Sequence, residues 1–188
     1  MERKYAWHNY DDATMEKVYA LSDTYRQFLD NGKTERECVV QAVEMAEAKG
    51  YVNLNDVIKS NTPIKAGDKI YYIHMDKSIA LFNIGADDIE LGMNILGAHI
   101  DSPRIDVKQN PQYEDSNLVF WDTHYYGGIK KYHWVAMPLA IHGVVVKTDG
   151  TRININIGDK ETDPVFCITD LLPHLGQEQM QKNAAKVI

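Results

Sequence analysis

A histidine and an aspartate two residues apart have the clearest chemical potential in this sequence. His99 and Asp101 lie in the run Gly97-Ala-His-Ile-Asp-Ser-Pro-Arg104. Residues i and i+2 of a strand project to the same face, so a strand here would place both side chains together. A neutral imidazole is a good zinc ligand, and a carboxylate beside it can fix its tautomer. The spacing alone also fits a structural histidine followed by a turn, since a zinc site needs three or four protein ligands.

The remaining candidates are weaker. Ser102 has no general base at a useful spacing, which argues against a nucleophilic serine. His142 lies in an alternating segment and is predicted to pack or to face solvent. His124 and His133 flank an aromatic and basic loop, 125–132, that fits a subunit contact equally well. The sequence contains no Gly-rich phosphate loop and no GxSxG, HExxH or CxxC motif.

The elements before this pair predict a layered α/β arrangement. Helical periodicity over 12–29 ends at Asn31-Gly32, and Thr34-Glu-Arg-Glu37 is a capping box that opens a second helix, with Gly50 as its C-cap. A hairpin is predicted over 69–84, and its residues Tyr71, Tyr72, Leu81 and Phe82 are expected in the core. The apolar run 93–100 predicts a strand buried on both faces, with His99 and Asp101 at its carboxyl end.

The sequence becomes β-rich after Pro103. Segments 138–147 and 151–157 flank Asp149-Gly150 and predict a second hairpin. Residues 168–187 are expected to be helical. We therefore predict a domain boundary near residue 104.

Composition excludes several classes of protein. The net charge of −7 argues against a nucleic-acid binder. No run of apolar residues is long enough to span a membrane, and the first twelve residues show no apolar signal-peptide core. Cys38 and Cys167 are the only cysteines, so a disulfide framework is not expected. A soluble, cytoplasmic protein that binds neither nucleic acid nor membrane is expected.

Several longer stretches resemble the aspartyl aminopeptidase / aminopeptidase I family, in particular the amino-terminal part of its bacterial members. They occur in the expected order along nearly all of the chain. The stretches are a TERECV-type helix, KIYYIHMDKSIALFNIG, GAHIDSPR, YGGIKKYHWVAMPLAIHGVVVKTDG and DPVFCITDLLPHL.

This resemblance implies a zinc metallopeptidase with two zinc ions per active site, with cobalt or manganese as alternatives. It implies an incomplete three-layer α/β catalytic domain over 1–104 and a β-rich dimerisation insert over 105–188. The resemblance makes His99 a metal ligand, and Asp101 a catalytic residue that orients it. In the family, an insert histidine reaches the neighbouring subunit's active site, which maps to His174. Peptide substrates and homo-oligomers are the implied partners.

The sequence also departs from the family pattern. The bridging Asp, the general-base Glu and the other ligands follow the insert in that family, and their motifs are not found here. We therefore expect an amino-terminal portion of such an enzyme, inactive alone. The loop 127–138 lacks the Asp-Arg pair of many relatives, so a preference for acidic N-terminal residues is not implied. The alternatives are a non-catalytic self-association module and a one-domain protein whose HxD motif is structural.

Overall fold

The computed structural model describes residues 5–188, which divide into a unit ending at Asp101 and a second unit, Ser102–Ile188. Residues 1–4, which open the first predicted domain, lie outside the described part. The mixed α/β character expected from the sequence is confirmed. No helix within 5–188 is both long and apolar enough to cross a bilayer.

Two helices open the first unit after a short 3-10 turn, Ala6–Asn9. Helix α1, Asp12–Asn31, begins where the Asp11 side chain accepts a hydrogen bond from the Thr14 N–H at 2.8 Å. Helix α2, Glu35–Glu47, begins at the predicted capping box. The Thr34 N–H donates to the Glu37 carboxylate at 2.9 Å, and the Glu37 N–H donates to the Thr34 hydroxyl at 3.4 Å. Both predicted helices are confirmed.

Helix α2 ends two residues earlier than the sequence suggests. Its last residue is Glu47, and Gly50 follows with a φ of +82°. Such a left-handed conformation suits glycine, and it turns the chain so that the Tyr51 N–H reaches the Ala46 carbonyl at 3.1 Å.

A three-stranded sheet packs against helix α2. Strand β1, Val52–Asn53, leads directly into helix α3, Leu54–Ser60, and pairs parallel with β2, Lys69–His74. Strand β3, Ser78–Asn83, pairs antiparallel with β2, which confirms the first hairpin. Its turn has positive φ at Met75 and Asp76, as a type I′ turn requires.

The core of the first unit is small. Its buried residues are Cys38, Val39 and Ala46 of α2 with Ile70 and Tyr71 of β2. The Tyr71 hydroxyl donates to Glu47 Oε1 at 2.7 Å. The prediction that Tyr72, Leu81 and Phe82 are also core residues is wrong: all three are exposed. The first unit covers only part of its sheet, so these side chains keep contact with solvent.

The predicted buried strand over 93–100 is wrong. Residues from Gly92 to Pro103 contain no regular secondary structure, after a 3-10 turn at Ile89–Leu91. Among the strands of residues 5–188, none pairs with this segment. A strand needs a hydrogen-bonded neighbour, so the apolar Met93, Ile95 and Leu96 are exposed instead.

The second unit contains two separate hairpins, which confirms its β-rich character. Strand β4, Arg104–Asp115, pairs antiparallel with β5, Leu118–Tyr126, with a register irregularity between Val107 and Gln112. After a 3-10 turn at Lys131–His133, strand β6, Ile141–Val146, pairs with β7, Arg152–Ile157. The predicted Asp149-Gly150 turn is confirmed, with the Thr151 N–H donating to Asp149 Oδ1 at 2.8 Å.

The long helix predicted over 168–187 is wrong. Only α4, Gln177–Met180, is helical there. Pro173 lacks an N–H and disfavours a helical conformation at Leu172, so the helix cannot start upstream. The Leu172 carbonyl instead accepts hydrogen bonds from the N–H groups of Leu175 and Gly176, both at 2.9 Å.

Candidate functional site

The structure brings His99 and Asp101 together without the predicted strand. The Nδ1 atom of His99 lies 2.9 Å from the backbone carbonyl oxygen of Asp101 and 3.2 Å from its carboxylate Oδ1. The His99 side chain is 83% exposed and that of Asp101 37% exposed. The pair therefore presents an accessible imidazole, oriented by the residue two positions later.

These two contacts determine which ring nitrogen carries the proton. A carbonyl oxygen and a carboxylate oxygen both accept hydrogen bonds, so Nδ1 of a neutral His99 is the donor. The lone pair of the neutral ring is then on Nε2. A histidine that binds a metal through one nitrogen commonly donates its other N–H to a carboxylate or a backbone carbonyl. His99 has this arrangement, which suits a metal ligand.

The pair supplies only part of a metal site. An imidazole nitrogen and a carboxylate are both suitable zinc donors, so the chemistry of His99 and Asp101 fits zinc. Within residues 5–188, however, no three His, Cys, Asp or Glu side chains form a group that could hold a metal ion. A complete zinc site needs three or more protein ligands, so further donors would have to join His99.

His174, the third candidate from the sequence, belongs to the second unit. It lies in the turn at 173–175 and is exposed, as are the neighbouring Leu171, Leu172 and Leu175. The structure therefore presents His174 on an apolar surface segment, and its proposed role stays a prediction.

Immediately after the His99–Asp101 pair, the chain makes contacts that the sequence did not reveal. A side-chain carbon placed on Gly127 would lie 3.4 Å from the ring carbons Cβ and Cγ of Pro103, an ordinary van der Waals distance. The Arg104 guanidinium lies 4.2 Å from the centroid of the Tyr126 ring, a cation–π contact. Its Nε also donates to Asp106 Oδ1 at 2.7 Å.

The side chain of His142 is almost buried and lies beside a carboxylate. Its side chain is 10% exposed, and Nε2 lies 3.0 Å from the carboxylate of Asp159. This agrees with the packing role considered for it. His124 and His133 make ring contacts with their neighbours Tyr125 and Tyr132, with centroids 5.3 and 4.5 Å apart.

A loop that follows β7 carries the second unit's clearest electrostatic feature. The Asp163 carboxylate accepts hydrogen bonds from the backbone N–H groups of Gly158 at 3.0 Å and Lys160 at 3.3 Å. These two bonds hold the pKa of Asp163 below its ordinary value. The Asp163 carboxylate therefore holds the 158–163 loop in place. This loop also contains Asp159, the partner of His142.

Comparison with known proteins identifies close relatives over the whole chain. A probable M18 family aminopeptidase 1 of Clostridium acetobutylicum is 51% identical over 187 residues, which cover all of this chain and 40% of that protein. The crystal structure of aminopeptidase I from the same organism superposes with a TM-score of 0.86 at 49% identity, covering 100% of this chain and 41% of that one. An M18 family aminopeptidase structure from Thermotoga maritima gives a TM-score of 0.88 at 44% identity, covering 99% of this chain and 39% of that one.

These matches concern the amino-terminal part of the relatives, and the chain spans about 40% of their length. A more distant structure, the yeast mApe1 dodecamer, shares the fold at 21% identity with a TM-score of 0.64. The model of the family described as aminopeptidase I zinc metalloprotease (M18) matches residues 28–187. The resemblance drawn from the GAHIDSPR run and its flanking segments is thereby confirmed, and the chain belongs to the M18 family of zinc aminopeptidases.

Proposed function

We propose that this chain is the amino-terminal portion of a zinc-dependent aminopeptidase that removes N-terminal amino acids from peptides. Family membership supports this proposal. The single observation that carries the site assignment is a pair of contacts made by His99 Nδ1, one with the backbone carbonyl oxygen of Asp101 and one with its carboxylate Oδ1. These contacts leave Nε2 for a metal. A two-zinc centre would supply Lewis-acid polarisation of the scissile carbonyl and a water with a lowered pKa.

His99 and Asp101 have distinct tasks in this proposal. His99 holds one zinc through Nε2. Asp101 keeps the proton on Nδ1 and thereby fixes both the tautomer and the ring orientation of His99. The remaining ligands and the general base come from polypeptide outside these 188 residues, since residues 5–188 contain no three-ligand group.

His174 is proposed to contact the substrate bound in a neighbouring subunit. Its exposure in a surface turn supports this role, because a histidine that acts on another subunit cannot be buried in its own. The proposal requires a homo-oligomer. The distant yeast dodecamer is a relative in which this fold assembles. A cytoplasmic location stays a prediction.

The test of this function is hydrolysis of short peptides by the complete polypeptide that carries this sequence. We expect release of the first amino acid, loss of activity after treatment with a chelator, and recovery when zinc or cobalt is returned. The matched control is the same peptide with an acetylated amino terminus, which an aminopeptidase should not cleave. Equal cleavage of the free and acetylated peptides would contradict the proposal.

The alternative is a non-catalytic self-association module formed by these 188 residues alone. The observation behind it is that residues 5–188 contain no group of three His, Cys, Asp or Glu side chains that could hold a metal ion. Size-exclusion chromatography of the 188-residue chain, together with equilibrium dialysis against zinc, tests the module. Self-association without stoichiometric zinc binding would support the module, and tight stoichiometric binding would count against it.

A further inference from the structure

The turn that carries His174 lies in a segment that the side chain of Gln179 closes. The Gln179 Nε2 atom donates to Asp170 Oδ1 at 2.9 Å and to the Val187 carbonyl at 3.1 Å. An amide nitrogen has two hydrogens, so each bond has its own donor. Asp170 precedes His174 and Gln179 follows it. The first bond therefore joins the two ends of segment 170–179, and all of these residues belong to the second unit.

The bond to Asp170 is assisted by charge. Asp170 Oδ1 also accepts from the Leu171 N–H at 2.8 Å, which orients the carboxylate along its own backbone. Hydrogen bonds to an ionised acceptor are shorter and stronger than those between neutral groups. We therefore expect the bond between Gln179 and Asp170 to be the stronger of the two that Gln179 makes.

The backbone around His174 is closed by the Leu172 carbonyl. This oxygen accepts from the Leu175 and Gly176 N–H groups, both at 2.9 Å. Pro173 fixes its own φ at about −65° and restricts Leu172 to extended conformations. The direction of the exposed His174 side chain therefore depends on how this turn as a whole is held.

Helix α4 follows the turn and is too short to hold it unaided. It contains only four residues, Gln177–Met180, and helices of this length are not stable in water without tertiary contacts. Gln179 supplies such contacts from a half-buried position. A side-chain carbon placed on the buried Gly176 would lie 3.0 Å from Gln179 Oε1. The Gln179 amide thus lies beside the last residue of the turn.

We propose that Gln179 is a positioning residue for His174: by joining Asp170 to residue 187, its amide holds the turn that presents the imidazole. The consequence for catalysis rests on the proposed function, in which His174 contacts a substrate bound in a neighbouring subunit. A group that acts on a substrate must be held within about 0.5 Å of its productive position. The hold itself can be measured without any substrate.

The first measurement is hydrogen–deuterium exchange of the peptide spanning residues 171–178 in the complete polypeptide. Gln179→Glu keeps the size of the side chain, removes both donors and places a second carboxylate beside Asp170. Exchange of this peptide should become about tenfold faster, as expected when a bond to a charged acceptor is lost. Gln181→Glu is the matched control, because it makes the same change on an exposed side chain two residues later. It should leave the exchange unchanged.

Two further variants separate the hydrogen bonds from other effects. Gln179→Lys again provides donors that can pair with Asp170, so it should recover the protection that Gln179→Glu loses. Gln179→Met keeps the length of the side chain without donors or charge. The exchange of residues 141–157 reports whether the β6–β7 hairpin stays folded. Gln179→Met decides the result if Gln179→Glu unfolds that hairpin.

The second measurement is peptide hydrolysis by the same variants. Gln179→Glu should lower kcat/KM by about 10–100-fold, since a misplacement of about 1 Å has a cost of this order. In a His174→Ala background, the same substitution should cause no further loss, because a residue that acts through His174 is not additive with it. A side chain that only stabilises the subunit would lower kcat/KM equally in both backgrounds.

Three outcomes would overturn the inference. The first is native exchange of residues 171–178 in the Gln179 variants that lack donors. The second is equally fast exchange in Gln181→Glu. The third is an equal loss of kcat/KM with and without His174, or no loss in Gln179→Glu while His174→Ala is impaired.

A failure of the proposed function gives a different result. Faster exchange in Gln179→Glu, with native hydrolysis in both Gln179→Glu and His174→Ala, would contradict the role of His174 and support the hold by Gln179. If the complete polypeptide does not hydrolyse peptides, the proposed function is wrong and the exchange measurement alone decides whether Gln179 holds the turn.

Discussion

Asp101 contacts His99 through two different groups. The backbone carbonyl lies closer to Nδ1 than the carboxylate does, at 2.9 against 3.2 Å. The carboxylate can stabilise positive charge on the ring and raise its strength as a ligand, whereas the carbonyl mainly fixes the tautomer. Removing the carboxylate charge alone would therefore distinguish the contribution of the carboxylate from that of the backbone carbonyl.

Asp101→Asn in the complete protein should weaken zinc binding by about 10–100-fold, the usual cost of losing such a partner of a liganding histidine. The Asp101 backbone carbonyl remains, so the site should weaken rather than disappear. Competition with a chromophoric chelator measures the change in affinity. Asp122→Asn is the matched control, because that carboxylate pairs with Lys108 at 3.0 Å and should leave zinc affinity unchanged. Equal affinity of Asp101→Asn and the native protein would contradict the role of the carboxylate.

The sequence predicts contacts between residues that are close together along the chain. The contact of His99 with Asp101 follows from a spacing of two residues, and it forms even though the expected strand does not. The capping box of Thr34 and Glu37 is likewise local and is confirmed. Gly127 comes near Pro103, although the two residues are far apart along the chain. Neither residue type signals its neighbour, so the sequence could not reveal this proximity.

Gly158 shows how tightly one element packs on another in the second unit. It follows β7 with a φ of +111°, and a side-chain carbon there would lie 2.8 Å from the Ala140 Cα. Real side-chain carbons do not approach backbone atoms this closely. The backbone at 158 must therefore move before any side chain fits.

Gly158→Ala should accordingly destabilise the protein more than Gly150→Ala. The second substitution carries only the strain of a left-handed backbone, roughly 1–2 kcal/mol, because the space around Gly150 is open. The first carries that strain together with the clash against Ala140. Urea denaturation of the two variants measures both free energies of unfolding. Equal losses would show that the Ala140 contact has no energetic weight.

The loop 158–163 should also make stability depend on pH. The pKa of Asp163 is lowered in the folded protein by its bonds to the Gly158 and Lys160 N–H groups. A carboxyl with a depressed folded pKa stabilises the protein above its unfolded pKa, and this contribution is lost as the pH falls through the folded pKa. The loss should therefore begin near the ordinary aspartate value of 3.8 and be complete below the folded pKa.

Asp163→Asn should reduce this acid-dependent loss. Thermal unfolding between neutral pH and pH values below the ordinary aspartate range measures it, and the variant should show the shallower dependence. Asp12→Asn is a suitable control, since it removes an exposed carboxylate from the first turn of α1. A native-like pH dependence in Asp163→Asn would show that these bonds do not stabilise the folded state.

Helices and strands were predicted correctly where the sequence pattern that specifies them lies within the element itself. Both hairpins carry their turn residues and strand patterns locally, and both are confirmed. The apolar run 93–100 has the composition of a buried strand, but strand formation needs a neighbour that the described residues do not provide. The expected helix over 168–187 failed because Pro173 and the turn at Leu172 outweighed a helical composition further along.

The whole molecule has little buried core for its length. Five hydrophobic residues of the described chain are buried, and all lie in the first unit. The apolar segment containing Ile95 and Leu96 is exposed, and so are Leu171, Leu172 and Leu175 around His174. Exposed apolar patches often mark interaction sites. This fits both the proposed oligomer and a catalytic domain that needs further chain.

The proposed action of His174 across a subunit boundary has a direct test. His99→Ala and His174→Ala proteins should each have low activity as homo-oligomers. Mixed oligomers should regain activity, because some active sites would combine an intact His99 with an intact His174 from a neighbour. Leu175→Ala changes the residue next to His174 and is the matched control for His174→Ala. This variant should keep the zinc-dependent activity without mixing. Mixtures no more active than the two separate proteins would contradict action across subunits.

Zinc binding by His99 in the complete protein is the proposal on which the assigned function depends. Its most direct measurement is the zinc content of purified His99→Ala, read together with its rate of peptide hydrolysis. His74→Ala is the control, since His74 is an exposed histidine at the end of β2. We expect His99→Ala to keep its circular dichroism but to lose bound zinc and hydrolysis, while His74→Ala retains both. Full zinc content and native hydrolysis in His99→Ala would contradict it.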